Sequence, residues 1–261
     1  MSDPRRADVC AVAIAEAFRG DGERLCNPIG NLPLVGGRLA AATFEPHLAI
    51  TDGYYTLLDN VPPVGLAEDE RVAQRVIGQW NPYREMFGLL WRGKRHVMMG
   101  ATQVDRYGNQ NIAAIGEWGA PRAQLLGFRG APGNTINHTT SYWVPNHSPK
   151  VVVESVDVVC GIGYDRAAEL GPVASRFHEV RRVVTNLCVF DFEATDASGV
   201  PTLRLRSVHP WTTVDEVVGA TGCDVVVPED VAVSRGPDTA EAAELERLDP
   251  QGLRFAEVPD E

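Results

Sequence analysis

The sequence predicts an α/β fold in which layers of helix cover a mostly parallel sheet. Two observations lead there: short apolar, β-branched runs recur along the chain, and helix start and stop signals are interspersed among them. The balance of 44% hydrophobic and 23% charged residues is that of a folded soluble protein, and 261 residues suffice for a substantial core. With no repeat and no long linker in view, residues 1–261 are read as one domain with a C-terminal extension from about Pro228.

The elements follow in order. Arg5-Arg6 ahead of an apolar run from Val9 to Ala15 has the outline of a twin-arginine export signal. Asp8 and Glu16 bracket that run and Asp3-Pro4 precedes it, so the segment is read as an amphipathic helix on the folded domain. Strands are expected at 48–50, 97–99, 112–115, 150–153, 156–160, 182–192, 203–205 and 225–227. Asn81 and Pro82 supply an N-cap and a first-turn proline for a helix running to about Arg92, with Gly93 as its stop. Thr213-Val214-Asp215-Glu216 is a capping box opening a short helix that ends near Gly222. A last helix is expected from Asp238 to Leu248, with Glu241, Glu244 and Glu246 outward as solvated charge.

Composition removes several function classes. With 24 Lys+Arg against 35 Asp+Glu the net charge is −11, which argues against coating nucleic acid or an anionic membrane. No apolar stretch approaches the roughly 20 residues that span a bilayer. The five cysteines, at 10, 26, 160, 188 and 223, form no C-x-x-C pair and are read as free thiols of a reducing cytoplasm. Asn137 and Asn146, which match the glycosylation pattern, are then coincidences. The six histidines lack H-x-x-x-H spacing, so no metal site is expected, and G-x-S-x-G is absent. In Gly161-Ile162-Gly163 the third glycine of a dinucleotide fingerprint falls at Arg166, which leaves a tight turn.

Three segments carry candidate chemistry. The richest is Gly127-Phe128-Arg129-Gly130-Ala131-Pro132-Gly133-Asn134, where three glycines permit close backbone approach to a ligand and Arg129 offers a fork of donors to an anionic oxygen. The polar run from Asn134 through His138 to Ser141 follows it, and a plain surface loop is the competing reading. The second, from Gly100 to Asn111, is a shaped turn built on Asp105 and Gly108-Asn109. The third is Ile50-Thr51-Asp52-Gly53, a strand end bearing a carboxylate, with an ordinary turn aspartate as the alternative.

Together these motifs resemble the β subunit of class I CoA transferases of the glutaconate type. The likeness is carried by Asp105-x-x-Gly108-Asn109-x-Asn111, by Arg182-Val183-Val184-Thr185-Asn186-Leu187, and most specifically by the run from His209-Pro210-Trp211 to Thr221-Gly222. It covers roughly residues 7 to 250. The resemblance implies a three-layer α/β/α sandwich and obligate pairing with a homologous α subunit, a two-α, two-β assembly fitting the family. Such transferases carry a Glu-x-Gly whose glutamate becomes a covalent acyl-CoA carrier, and Thr51 stands in its place; Asp52 is shorter and displaced by one residue.

A chain without that glutamate and with Gly-Phe-Arg-Gly-Ala-Pro-Gly-Asn is similar to the β subunit of actinobacterial cholesterol (steroid) ring-cleaving CoA hydrolases. The resemblance implies opening of the last carbocyclic ring of a CoA thioester, with a glutamate base supplied by the α partner. On this reading Arg129 stabilises the anion or enolate, and Gly127, Gly130, Gly133, Asn134 and His138 shape and orient the substrate site. Thr51 and Asp52 line a vestigial transferase site. Arg92, Lys94 and Arg95, the densest basic cluster, are expected to meet the CoA phosphates. No separate cofactor is expected, since CoA is part of the substrate. A transferase using another carboxylate, or a subunit that only stabilises its partner, are the alternatives.

Overall fold

The computed structural model describes residues 4–51, 55–57, 61–66, 70, 77–92 and 95–259. The chain divides into two units, Met1–Met99 with Arg235–Glu261, and Gly100–Ser234.

In the first unit the strand Leu25–Pro28 lies between Ala49–Ile50 and Arg95–Gly100 and is parallel to both. The helices Arg6–Ala17 and Asn31–Thr43 belong to the same unit. The first is not amphipathic as expected: ten of its twelve residues are buried. Its small side chains explain this, because neighbours approach from every side; a Cβ at Gly36 would fall 2.3 Å from Cγ2 of Ile14.

Full burial leaves Asp8 needing a counter-charge, and Arg254 supplies it. This arginine is fully buried; its Nε donates to Asp8 Oδ1 at 2.7 Å, Nη1 to Asp249 Oδ2 at 3.0 Å and Nη2 to Glu246 Oε1 at 2.7 Å. The last helix, Thr239–Leu248, is capped by Asp238 as the sequence indicates. Glu241 is the exception to its expected solvated face. It is buried, closes the capping box and pairs with Arg235 at 2.5 Å. Glu244 and Glu246 are likewise paired, with Arg247 and with Arg5 and Arg254.

The helix expected from Asn81 spans Tyr83–Gly88 and then tightens into the 3-10 turn Leu89–Trp91, ending where Arg92 turns extended. Pro82, not Asn81, occupies the cap position, and no side chain caps it. Gly93 lies outside the described residues.

In the second unit five strands lie side by side in the order Ala232–Val233, Pro201–Val208, Cys188–Thr195, Glu179–Thr185 and Thr139–Val144. The two outer pairings are parallel and the two inner ones antiparallel. The continuous strand expected over 182–192 is therefore a hairpin. Thr185 breaks it, because its hydroxyl accepts from the backbone N–H groups of Leu187 and Cys188, both at 3.0 Å.

The run from His209 to Gly222 then locks this hairpin. His209 Nε2 donates to the Thr185 carbonyl, Trp211 Nε1 to that of Asn186, and Thr221 Oγ1 meets His147, whose other ring nitrogen meets Thr185 Oγ1. Burial lowers both His147 and His209 to about 4, so the two rings are neutral structural groups at pH 7. Thr213 and Glu216 form the expected capping box on Val214–Gly219, which ends three residues earlier than Gly222.

Other expectations shorten. Only Val152–Val153 and Ala114–Ile115 of their runs are strand, 225–227 keeps a single bridge at Val226, and 156–160 forms none. In that last stretch Asp157 spends its backbone N–H on the Gln103 side chain, so alternation with a neighbouring strand never starts. Conversely Thr139–Ser141, the end of the polar run for which a surface loop was the competing reading, opens the fully buried strand Thr139–Val144. Among the described residues no helix is long and apolar enough to cross a membrane.

Removing Arg254 leaves the buried Asp249 without an ion pair among the described residues and leaves Asp8 with Arg5 alone, at 2.7 Å. Arg254→Ala is expected to lower the unfolding free energy by roughly 3–5 kcal/mol in urea titrations, and a loss below about 1 kcal/mol contradicts this account of the first unit.

Candidate functional site

In the second unit the candidate loop is built up from one buried carboxylate. Asp105 closes the strand Gln103–Asp105, and its Oδ1 accepts from the backbone N–H groups of Tyr107 at 3.1 Å and Asn109 at 3.0 Å. The Asn109 amide donates to both Asp105 oxygens and to Asp165 Oδ1 at 2.8 Å, while its Oδ1 accepts from Gly163 N at 2.7 Å. Gly163 is a close-approach glycine: a Cβ there would fall 2.4 Å from the Tyr107 carbonyl.

Two residues on, Asn111 does the same for the next segment. Its Oδ1 accepts from Ala113 N at 2.9 Å, and its Nδ2 donates to Gln103 Oε1 and the Ala114 carbonyl, both at 2.7 Å. These bonds fix the base of the hairpin Ala114–Ile115/Ala123–Gln124, and Asp157 Oδ2 secures its far side by accepting from Gly116 N at 2.7 Å. Leu125 and Leu126 then bond back to Ala113 and Ile112, which delivers the chain to Gly127.

From there the backbone turns left-handed twice, at Gly127 (φ 80°) and at Arg129 (φ 51°). Arg129 is the one non-glycine residue with positive φ among the described residues, a conformation that costs an L-residue roughly 1–2 kcal/mol. Its side chain is exposed and makes no hydrogen bond or ion pair among the described residues. Gly130 then opens the helix Ala131–Asn137, so Gly133 and Asn134 are helical where the sequence suggested a loop. Asn134 and His138 are buried, and Ile162 N holds the helix by donating to Thr135 Oγ1 at 3.0 Å. The structure thus brings Gly127, Arg129 and Gly130 together on an exposed turn and sets Asn134 and His138 in the packed interior.

In the first unit Thr51 ends the strand Ala49–Ile50. It is fully buried, and its hydroxyl donates to the Tyr55 carbonyl at 2.7 Å. Asn27 Nδ2 donates to the Thr51 carbonyl, and Asn27 Oδ1 accepts from Arg95. The basic cluster expected over Arg92, Lys94 and Arg95 is therefore not one exposed patch. Arg95 is a buried strand residue linked through Asn27 to Thr51, and burial lowers its guanidinium to about 10. Arg92 is exposed and paired with Glu85 at 2.7 Å. Lys94 and Asp52 lie outside the described residues.

Comparison with known proteins places this geometry. No protein-family model matches the chain. It is 45% identical over 259 residues, 99% of its length and 98% of the relative's, to the cholesterol ring-cleaving hydrolase IpdB subunit of Rhodococcus jostii RHA1. The chain belongs to the family of these IpdB subunits. The crystal structure of IpdAB from the same organism matches with a TM-score of 0.88 at 44% identity, over 98% of this chain and 99% of that one. Glutaconate coenzyme A-transferase from Acidaminococcus fermentans matches with a TM-score of 0.80 at 19% identity, over 97% of this chain and 98% of that one, and so shares the fold.

The IpdB-family chain thus keeps a CoA-transferase fold with a threonine, hydroxyl engaged, at the end of the strand where the resemblance puts a carrier glutamate. Arg129, singled out in the sequence for its glycine setting, stands exposed on this turn. The shaped turn read on Asp105 and Gly108-Asn109 is present, and Asn111, quoted from the sequence only as part of the family likeness, extends it to the hairpin.

Burial pushes Asp105 up to about 6 against the hydrogen bonds that favour its ionised form. The folded state therefore holds a proton that the unfolded chain has released, and stability falls as pH rises from 4 toward 6. Asp105→Asn removes this component. The variant is expected to gain roughly 2 kcal/mol relative to wild type between pH 4.5 and 7 in urea titrations, and parallel pH profiles contradict it.

Proposed function

We propose that this chain is the β subunit of a heteromeric hydrolase that opens the last carbocyclic ring of a cholesterol-derived CoA thioester, working with a homologous α subunit in a two-α, two-β assembly. The observation that carries the reading is the contrast in identity: 45% over nearly the full length to a ring-cleaving hydrolase subunit, against 25% to a glutaconate CoA-transferase subunit.

The chemistry follows from what the site needs. A water molecule, deprotonated by a carboxylate of the partner subunit, adds to a ring ketone β to the thioester. The C–C bond then breaks, its electrons pass into the thioester enolate, and protonation at carbon yields the opened acyl-CoA. No covalent carrier takes part, which agrees with a buried, hydrogen-bonded Thr51 in place of a nucleophile. An oxyanion forms on the ketone and then on the thioester, and a positioned cation lowers the cost of both. Arg129 fits that role, exposed on a turn whose shape is set from behind by Asp105, Asn109 and Asn111. CoA enters as part of the substrate, and the reading uses no resident cofactor. The free cysteines suit a cytoplasmic enzyme.

The test is the purified heteromer given a monocyclic β-keto CoA thioester, with hydroxylamine added in a parallel reaction. Ring-opened acyl-CoA is expected, with no acyl adduct trapped on this chain. Thioester exchange onto acetate or succinate, or a trapped adduct, contradicts the hydrolase reading in favour of a transferase.

A further inference from the structure

Three large apolar side chains stand exposed next to Arg129. Trp118 is 58% exposed at the tip of the anchored hairpin, Leu126 is 68% exposed where the hairpin ends, and Phe128 is 38% exposed. Trp118 and Phe128 meet edge to face with ring centroids 5.5 Å apart. This is not a relaxed surface loop. Asn111, Gln103 and Asp157 fix the base of the hairpin through five hydrogen bonds between 2.7 and 3.0 Å. The residue after Phe128 is the strained arginine, which makes no hydrogen bond or ion pair among the described residues. A rigid apolar wall beside an uncompensated cation is complementary to an anionic amphiphile, with a hydrocarbon body and a negative oxygen at one end.

We propose that Trp118, Leu126 and Phe128 form the surface that takes the hydrocarbon ring of the substrate while Arg129 takes its anionic oxygen. The inference rests on the functional reading above and adds to it the residues that select a ring over a short acyl chain. An apolar wall discriminates by the hydrocarbon it covers, and a few methylenes are worth about 1–3 kcal/mol, or about 10–200-fold.

The experiment measures binding and turnover separately on the assembled heteromer. Calorimetry compares 2-oxocyclohexanecarboxyl-CoA with acetyl-CoA for wild type, Trp118→Ala, Trp118→Phe and Phe128→Ala, with assembly followed by size and light scattering. Wild type is expected to bind the ring thioester at least tenfold more tightly than acetyl-CoA. Trp118→Ala and Phe128→Ala are expected to remove most of that preference while leaving acetyl-CoA affinity within about twofold, and Trp118→Phe to restore part of it.

Equal preference in wild type and both alanine variants overturns the proposal. So does a matching loss of acetyl-CoA affinity, which would make the wall a coenzyme contact, and so does failure of Trp118→Ala to assemble, which would make it a subunit contact. A wild-type heteromer that binds the ring thioester selectively but does not open rings contradicts the functional reading and leaves the wall standing.

Discussion

A single buried carboxylate organises the second unit. Asp105 lies in the protein interior, where an isolated negative charge is costly, and the chain satisfies it by folding the next four residues around it. That obligation sets the turn at Gly108, brings Asn109 to Asp165 and Gly163, and directs Asn111 at the hairpin that follows. Asp105, Asn109 and Asn111 are thus linked by hydrogen bonds to the segments that follow them. The Asp-x-x-Gly-Asn-x-Asn motif serves geometry.

The two sequence departures from a transferase belong together chemically. A threonine whose hydroxyl is committed to a backbone carbonyl offers no acyl acceptor, so the reaction needs a route in which charge builds on substrate oxygens instead of on a carrier. A guanidinium held ready, without a protein counter-charge among the described residues, suits that route. Its backbone conformation is an expense to the fold, which is where strained residues at functional turns are commonly found.

Much of this was legible in the residues. The capping box at Thr213 announced its helix because the interaction is local, and the last helix begins at Asp238 as expected. The failures share one cause, long-range packing. Thr139–Val144 reads as polar, yet three consecutive hydroxyl residues are buried in it because strand pairing satisfies the backbone. Arg95 looks like a surface cation beside Arg92 until Asn27, sixty-eight residues away, draws it inward. Glu241 looks solvated until Arg235 and the capping box claim it. Trp118 carries no local signal at all, since its role depends on which residues the hairpin places beside it.

The measurement that tests the central claim most directly is Arg129→Gly in the assembled heteromer, because glycine accepts the left-handed backbone while the side chain that carries the guanidinium is removed. The account expects thermal stability equal to or above that of wild type, together with a fall in kcat/KM for ring opening of roughly 100-fold or more. Ring opening at the wild-type rate in a folded, assembled variant would contradict it.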